Sequence, residues 1–159
     1  MKIRGIEKRD RPGLKAILQA QEHFRPVEVQ VALDLIDIAL TQPNQEDYII
    51  RVAEEEEGQI LGYICYGKAP LTDAVYDLYW VVVTPASWNR GTGTSLLRQV
   101  EEELRRRQAR LLLIETSSQP SYEVPRAFYR RNGFEEQARV LDYYGIGDHK
   151  LIFSKTFTP

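Results

Sequence analysis

Cysteine is almost missing from this 159-residue chain: Cys65 stands alone, so no intramolecular disulfide can form and a reducing compartment is expected. Histidine is scarce too. His23 and His149 lie far apart and in no ligand-spaced cluster, which implies no metal. Each reads most simply as a surface or structural residue. No apolar run approaches membrane-spanning length, and the opening stretch from Met1 to Pro12 lacks the apolar centre of a signal peptide. The expectation is therefore a cytoplasmic protein. Excess charge is also lacking: a formal net charge of −2 argues against non-specific nucleic-acid binding. Repeats, linkers and low-complexity segments are absent, and residues 1–159 read as one domain with a core of its own.

What is present is a regular succession of patterns. Lys2 to Ile6 alternates like a short strand. Asp10 is placed to cap a helix carrying Pro12 in its first turn and Leu14, Ile17 and Leu18 on one face. A second helix is expected from Val27 to about Leu40, with Val31, Leu35, Ile38 and Ala39 as its apolar stripe. Strand-like runs follow at 47–54 and 59–68, joined through four glutamates that read as a solvated hairpin tip. Asp77 to Val83 is a third consecutive strand, ended by Pro85.

The helix after Gly93 places Leu96, Leu97, Val100 and Leu104 at core spacing. Glu101, Glu102 and Glu103 each precede an arginine by four residues, a pattern of exposed i,i+4 pairs. "RLLLIETS", 110–117, reads as a central strand buried on both faces and parallel to a neighbour. A last helix around Ala127, Phe128 and Tyr129 stops at Gly133, and two strands close the chain. The order is βααβββαβαββ, a mixed α/β domain.

"WNRGTGTSLL", 88–97, sits between a strand and a helix. No lysine follows its glycines as a Walker loop requires, and Leu96 stands where a dinucleotide fingerprint has its third glycine. What survives is a helix N-terminus with accessible amides and about half a positive charge. Gly91 and Gly93 remove Cβ atoms, Thr92, Thr94 and Ser95 add hydroxyls, and Arg90 adds a cation. A turn with no ligand has equal standing on these residues alone.

With Arg90-Gly91-Thr92-Gly93 and then "RAFYRRNGF" at 126–134, the chain resembles the GNAT family of N-acetyltransferases from about Lys2 to Thr156. Trp88 departs from the family motif, which begins with Gln or Arg. The resemblance implies a mostly antiparallel sheet of about seven strands with one parallel pair and about four helices. It implies acetyl-CoA as co-substrate, its pyrophosphate on the amides of residues 90–95. It further implies that the strand ending at Val83 splays from 110–117, leaving the amides and carbonyls of Val81 and Val83 free for the pantetheine arm.

By the same resemblance Tyr129 corresponds to the general acid beside the CoA sulfur. A tyrosine of ordinary pKa about 10 stays protonated at neutral pH and can donate to a departing thiolate. The rival role for Tyr129 is helix packing. The acceptor must lose a proton, since on the order of one lysine-like amine in a thousand is neutral at pH 7. Asp77, four residues before Val81, occupies the region where histone-type members carry a glutamate base. It is one methylene shorter, so a bridging water is expected; Glu115 is the reserve candidate.

These readings point to transfer of acetyl to a primary amine of a small molecule, an amine or amino-acid derivative. A protein N-terminus or lysine is the rival acceptor, and a non-catalytic acyl-CoA sensor is the rival of another class. Dimers are common among relatives, so a homodimer is among the states the resemblance allows.

Overall fold

The period-two runs become strands and the 3.6-period runs become helices. A computed structural model describes residues 1–158, and of Glu57 only the backbone. In chain order the elements are β1 (Lys2–Gly5), α1 (Arg11–Gln19), α2 (Pro26–Thr41), β2 (Ile49–Glu54), β3 (Ile60–Lys68) and β4 (Val75–Val83). Then come α3 (Thr92–Arg106), β5 (Leu111–Ser117), α4 (Glu123–Arg131), β6 (Glu135–Gly145) and β7 (Asp148–Thr156). One seven-stranded sheet in the order β1-β2-β3-β4-β5-β7-β6 holds every strand. Its single parallel pair is β4 with β5. The expected fold class and topology are those observed.

Helices cover both faces. Leu96, Leu97, Val100 and Leu104 of α3 and Tyr129 of α4 pack on Leu112, Ile114 and Phe153 of the sheet. On the other face α1 and α2 bring Leu14, Leu18, Leu33 and Ile36 against Ile50, Tyr63 and Val82. Each fully buried leucine or isoleucine contributes about 1.5–3 kcal/mol of hydrophobic stabilisation. Gly133, at φ 88°, ends α4 in the left-handed conformation that glycine adopts freely, and Phe134 donates its N–H back to the Tyr129 carbonyl at 3.0 Å.

The sheet forks between its two parallel strands. β4 and β5 are paired only at Val75–Leu111, Tyr76–Leu112 and Asp77–Leu113. Beyond that rung β4 runs on to Val83 along β3, while β5 runs on to Ser117 along β7. The core of α3 and α4 fills one side of the divergence.

Several local expectations are corrected. The buried stripe of α2 is Val29, Ala32, Leu33 and Ile36, while Val31 is exposed and Leu35, Ile38 and Ala39 are half-buried. The helix is apolar nearly all round, so its sequence holds two stripes and packing selects one. Asp10 does not cap α1. A 3-10 turn over Lys8–Asp10 gives it helical backbone angles, and its carboxylate accepts from Arg4 at 2.8 and 2.9 Å and from the Glu7 N–H at 2.8 Å. Glu54, the first of the four glutamates, is not part of a solvated tip but pairs with Arg4 at 2.7 Å. β5 alternates rather than being buried on both faces, with Glu115 exposed.

The glutamate triplet of α3 is likewise not a wet face. Successive helical residues turn by about 100°, so three in a row cannot all point to solvent beside a broad apolar stripe. Glu101 and Glu103 are buried; Lys155 meets Glu101 at 2.7 Å, and Arg51 and Tyr66 donate to Glu103 at 2.8 and 2.6 Å. Of the expected i,i+4 pairs only Glu101–Arg105, at 3.6 Å, forms among the described residues.

Burial alone would raise the Glu103 carboxyl, but hydrogen bonds from Arg51, Tyr66 and Gln99 outweigh it and hold the group at about 2. A depressed folded value contributes stability that is present above the unfolded carboxylate range and lost as pH falls from about 4.5 towards 2. Glu103→Ala is expected to cost about 2–3 kcal/mol at pH 7, since it strands a half-buried arginine. Urea titrations from pH 6 to 3 should show a shallower acid loss for the variant than for the parent. Parallel losses would mean that Glu103 carries no acid-linked stability.

Candidate active site

At Cys65–Trp80 and Tyr66–Leu78 the β3–β4 register shifts, leaving Tyr79 as a bulge residue with no partner on β3. Past the bulge, Thr84 donates its N–H to the Leu61 carbonyl at 2.8 Å. Antiparallel alternation then puts Val82 on a hydrogen-bonded rung and turns the amides and carbonyls of Val81 and Val83 away from β3, into the fork. One part of the expectation is corrected. The Val83 carbonyl is taken, by Gln21 Nε2 at 3.1 Å and Trp88 Nε1 at 3.2 Å.

The loop after β4 delivers the start of α3 beside this fork. Gly91 is the N-cap residue at φ 80°, which side chains rarely adopt, and a Cβ there would meet nothing within 4 Å. The first i→i−4 bond of the helix runs from the Ser95 N–H to the Gly91 carbonyl at 2.9 Å. The amides of Thr92, Gly93 and Thr94 therefore precede the helical ladder, and no side chain among the described residues caps them. Arg90 is exposed, Thr94 and Ser95 are half-buried, and Thr92 is buried, so Thr92 offers little beyond its backbone.

Gly93 has a packing reason to be glycine beside the one its motif suggests. A Cβ at Gly93 would lie 3.3 Å from the Phe128 ring and 3.6 Å from a Val83 methyl. Its small size lets α4 approach the loop, while the space over Gly91 is open.

Two ionisable groups flank the fork. Tyr129 of α4 is buried, and that burial, followed by the neighbouring Tyr122, pushes its hydroxyl well above the ordinary tyrosine range. Asp77 makes the last rung before the strands part. Its half-buried carboxyl is raised by that burial and then by Glu115, with Lys150 acting in the opposite sense. Tyr76, Leu78, Leu112 and Ile114 point to the α3/α4 core, so alternation puts Asp77 and Glu115 on the opposite face.

An arch of rings crosses the fork. Trp80 of β4 meets Phe24 at 5.4 Å, Phe24 meets His23 at 4.5 Å, and His23 meets Tyr122 at 5.3 Å, between centroids. Tyr122, just past β5, also donates to Glu28 of α2 at 3.1 Å. His23 is thus a packing residue of this arch, with its imidazole lowered by burial and partly restored by Glu28. Arg126, also missed by pattern reasoning, is buried and donates to the carbonyls of Ser117 and Gln119 at 2.6 and 2.9 Å, pinning α4 to the end of β5. In the sequence Arg126 is simply the first residue of "RAFYRRNGF", and no spacing rule marks it as buried. An open groove of about 620 Å³ beside Gly13, Ile60 and Thr84 shares no residue with the α3 N-terminus.

Comparison with known proteins decides the family. The model of the acetyltransferase (GNAT) domain matches residues 46–136, from before β2 into β6. This chain belongs to the GNAT family. A crystal structure described as a GNAT-family acetyltransferase from Desulfovibrio desulfuricans is 33% identical, covers 98% of each chain and superposes with a TM-score of 0.91. The S-(2-succino)cysteine N-acetyltransferase of Bacillus subtilis (strain 168) is 26% identical over 125 residues, 76% of this chain and 75% of that protein. The PaiA N-acetyltransferase of Thermoplasma acidophilum, solved with coenzyme A, shares the fold at 16% identity and a TM-score of 0.74, covering 98% of each chain.

As a GNAT member the protein is an acyltransferase. Among the described residues no group of three His, Cys, Asp or Glu side chains is placed to hold a metal ion, and no helix is long and apolar enough to cross a membrane.

Proposed function

We propose that this GNAT enzyme transfers acetyl from acetyl-CoA to a primary amine of a small molecule, an amine or amino-acid derivative, by direct attack in a ternary complex. The observation that carries the reading is the fork itself: the Val81 and Val83 amides turned into it, Tyr129 in the α3/α4 core against which Val81 packs, and Asp77 on the last rung before the strands part. The name of the Bacillus subtilis relative, an enzyme for a modified cysteine, supports the acceptor class.

The residues fit the co-substrate. The uncapped amides of Thr92, Gly93 and Thr94, the open space over Gly91 and the exposed Arg90 suit a diphosphate. The Val81 and Val83 amides suit the amide-bearing pantetheine arm. Acetyl-CoA, when bound, supplies an activated acyl group as a thioester. Asp77, its ionisation disfavoured by burial and by Glu115, takes the proton that the amine sheds, directly or through water. Tyr129 holds its proton throughout the working pH range and gives it to the departing thiolate.

The test pairs acetyl-CoA calorimetry with CoA release over a panel of small amines and peptides. Turnover confined to peptides would move the acceptor to protein termini or lysines, and binding without turnover would leave a sensor module. Arg90 offers a graded check. An exposed cation facing a diphosphate is screened by salt, so Arg90→Ala should weaken acetyl-CoA binding about two- to five-fold at low ionic strength and less at high. An unchanged affinity and salt slope would leave Arg90 without a role.

A further inference from the structure

β6 departs from its partner in an unusual way. Between Val140–Lys150 and Gly145–Asp148, residues 141–144 face a single β7 residue, His149. Asp142 sits in the left-handed region at φ 55°, a conformation that few residues other than glycine adopt. Two contacts hold it there: its N–H donates to His149 Nδ1 at 2.9 Å, and its carboxylate accepts the Gly147 N–H at 2.8 Å. A bulge fixed this way is built into the strand and re-aims the side chains that follow.

Those side chains are Tyr143 and Tyr144. Neighbours in a regular strand point to opposite faces, yet both tyrosines come to the same charged pair. The Lys150 ammonium lies 4.3 Å from the centre of the Tyr143 ring and 2.9 Å from Glu115 Oε2. Tyr144 packs edge-on against Tyr143 at 5.0 Å and is raised first by burial and then by Glu115. Glu115 and Lys150 stand on the face that carries Asp77, and both act on its carboxyl.

We propose that Tyr143, Tyr144 and Glu115 form the distal half of the acceptor site, and that the preferred acceptor is a primary amine carrying a second positive charge. The inference rests on the acetyltransferase reading above and names its substrate class. Three observations lead to it. The protein seats an ammonium of its own, Lys150, between a carboxylate and a phenol ring, the arrangement that attracts cations. Glu115 remains half exposed, and the two tyrosines are 56% and 49% exposed, so carboxylate and rings are open to a second cation. Carboxylates outnumber cations on this face: Asp77 and Glu115 stand against Lys150, whose charge Glu115 already meets. Asp148, the other nearby carboxylate, is occupied by the Ser117 hydroxyl.

A second ammonium would also help the chemistry. Glu115 disfavours ionisation of Asp77; a cation bound beside Glu115 offsets that field and favours the ionised base, whereas an anion would oppose it. The proposal therefore parts from the acid-bearing acceptor in the name of the Bacillus subtilis relative.

Three acceptors of one chain length test it: 1,5-diaminopentane, pentylamine and 5-aminopentanoate. The diamine should exceed pentylamine in kcat/KM by about ten-fold or more, with 5-aminopentanoate lowest. In Glu115→Gln and, independently, Tyr143→Leu, the diamine-to-monoamine ratio should fall towards one. Parity of the three in the parent, a preference for 5-aminopentanoate, or a ratio that both variants preserve would overturn the proposal. Calorimetry on the CoA-loaded protein separates the two readings. Diamine binding that depends on Glu115, with no acceptor turned over, would uphold this site and remove the enzyme reading. Turnover of pentylamine with no diamine preference would do the reverse.

Discussion

Tyr129→Phe is expected to lower acetyl transfer about a hundred-fold or more while acetyl-CoA affinity stays near that of the parent. The substitution suits the question because it changes so little else. Burial and the neighbouring Tyr122 account for the displaced hydroxyl, with no hydrogen bond from a described residue contributing. Removing the oxygen therefore leaves no partner unsatisfied, and the ring keeps its edge contacts with Phe128 and Phe134 at 5.6 and 5.8 Å. The fold should survive with its stability intact.

Affinity should survive as well, because the proposed phosphate and pantetheine contacts are the α3 amides and the backbone of β4. What is lost is the proton held beside the departing thiolate. Single-turnover kinetics isolate that step. Parent-like rates there would return Tyr129 to a packing role, and solvent water sharing the burden would place the loss nearer ten-fold.

How much of this was legible in the sequence depends on the range of the interaction. The order of elements, the stop at Gly133 and the α3 core face follow from local periodicity and turn chemistry, and the structure agrees with each. The fork was visible only through resemblance, since nothing in Asp77–Val83 or 110–117 says that two strands part after three rungs. Side-chain partners were the least legible. Glu103 finds Arg51, which is 52 residues away, and Tyr122 finds Glu28, which is 94 residues away. No spacing rule reaches that far. The α2 stripe failed for the opposite reason, because an almost uniformly apolar helix offers the core more than one face. Gly93 shows a third kind of limit: Phe128, whose ring a Cβ there would crowd at 3.3 Å, lies 35 residues along the chain, and only packing reveals it.

The same fork makes Asp77→Asn the companion test, on the proton that leaves rather than the one that arrives. Asparagine keeps the shape and cannot accept the ammonium's proton, so kcat/KM at pH 7 should fall by about two orders of magnitude or more. Asp77 is only half-buried and asparagine keeps its shape within the strand, so folding should tolerate the change. The pH profile carries the sharper information. A base works when ionised, so activity of the parent should decline as pH falls through the carboxyl's raised value, and Asp77→Asn should lose that limb. Burial is the first cause of the raised value and Glu115 the second, with Lys150 opposing. Glu115→Gln removes the second cause, and the acid limb should move to lower pH. Lys150→Met removes the opposing cation, and the limb should move to higher pH. Movement in these two opposite directions requires a carboxylate that feels both neighbours, which a water chain reaching bulk solvent would not. If neither variant displaces the limb and Asp77→Asn retains it, the proton leaves by another route and Asp77 is a strand residue at the mouth of the fork.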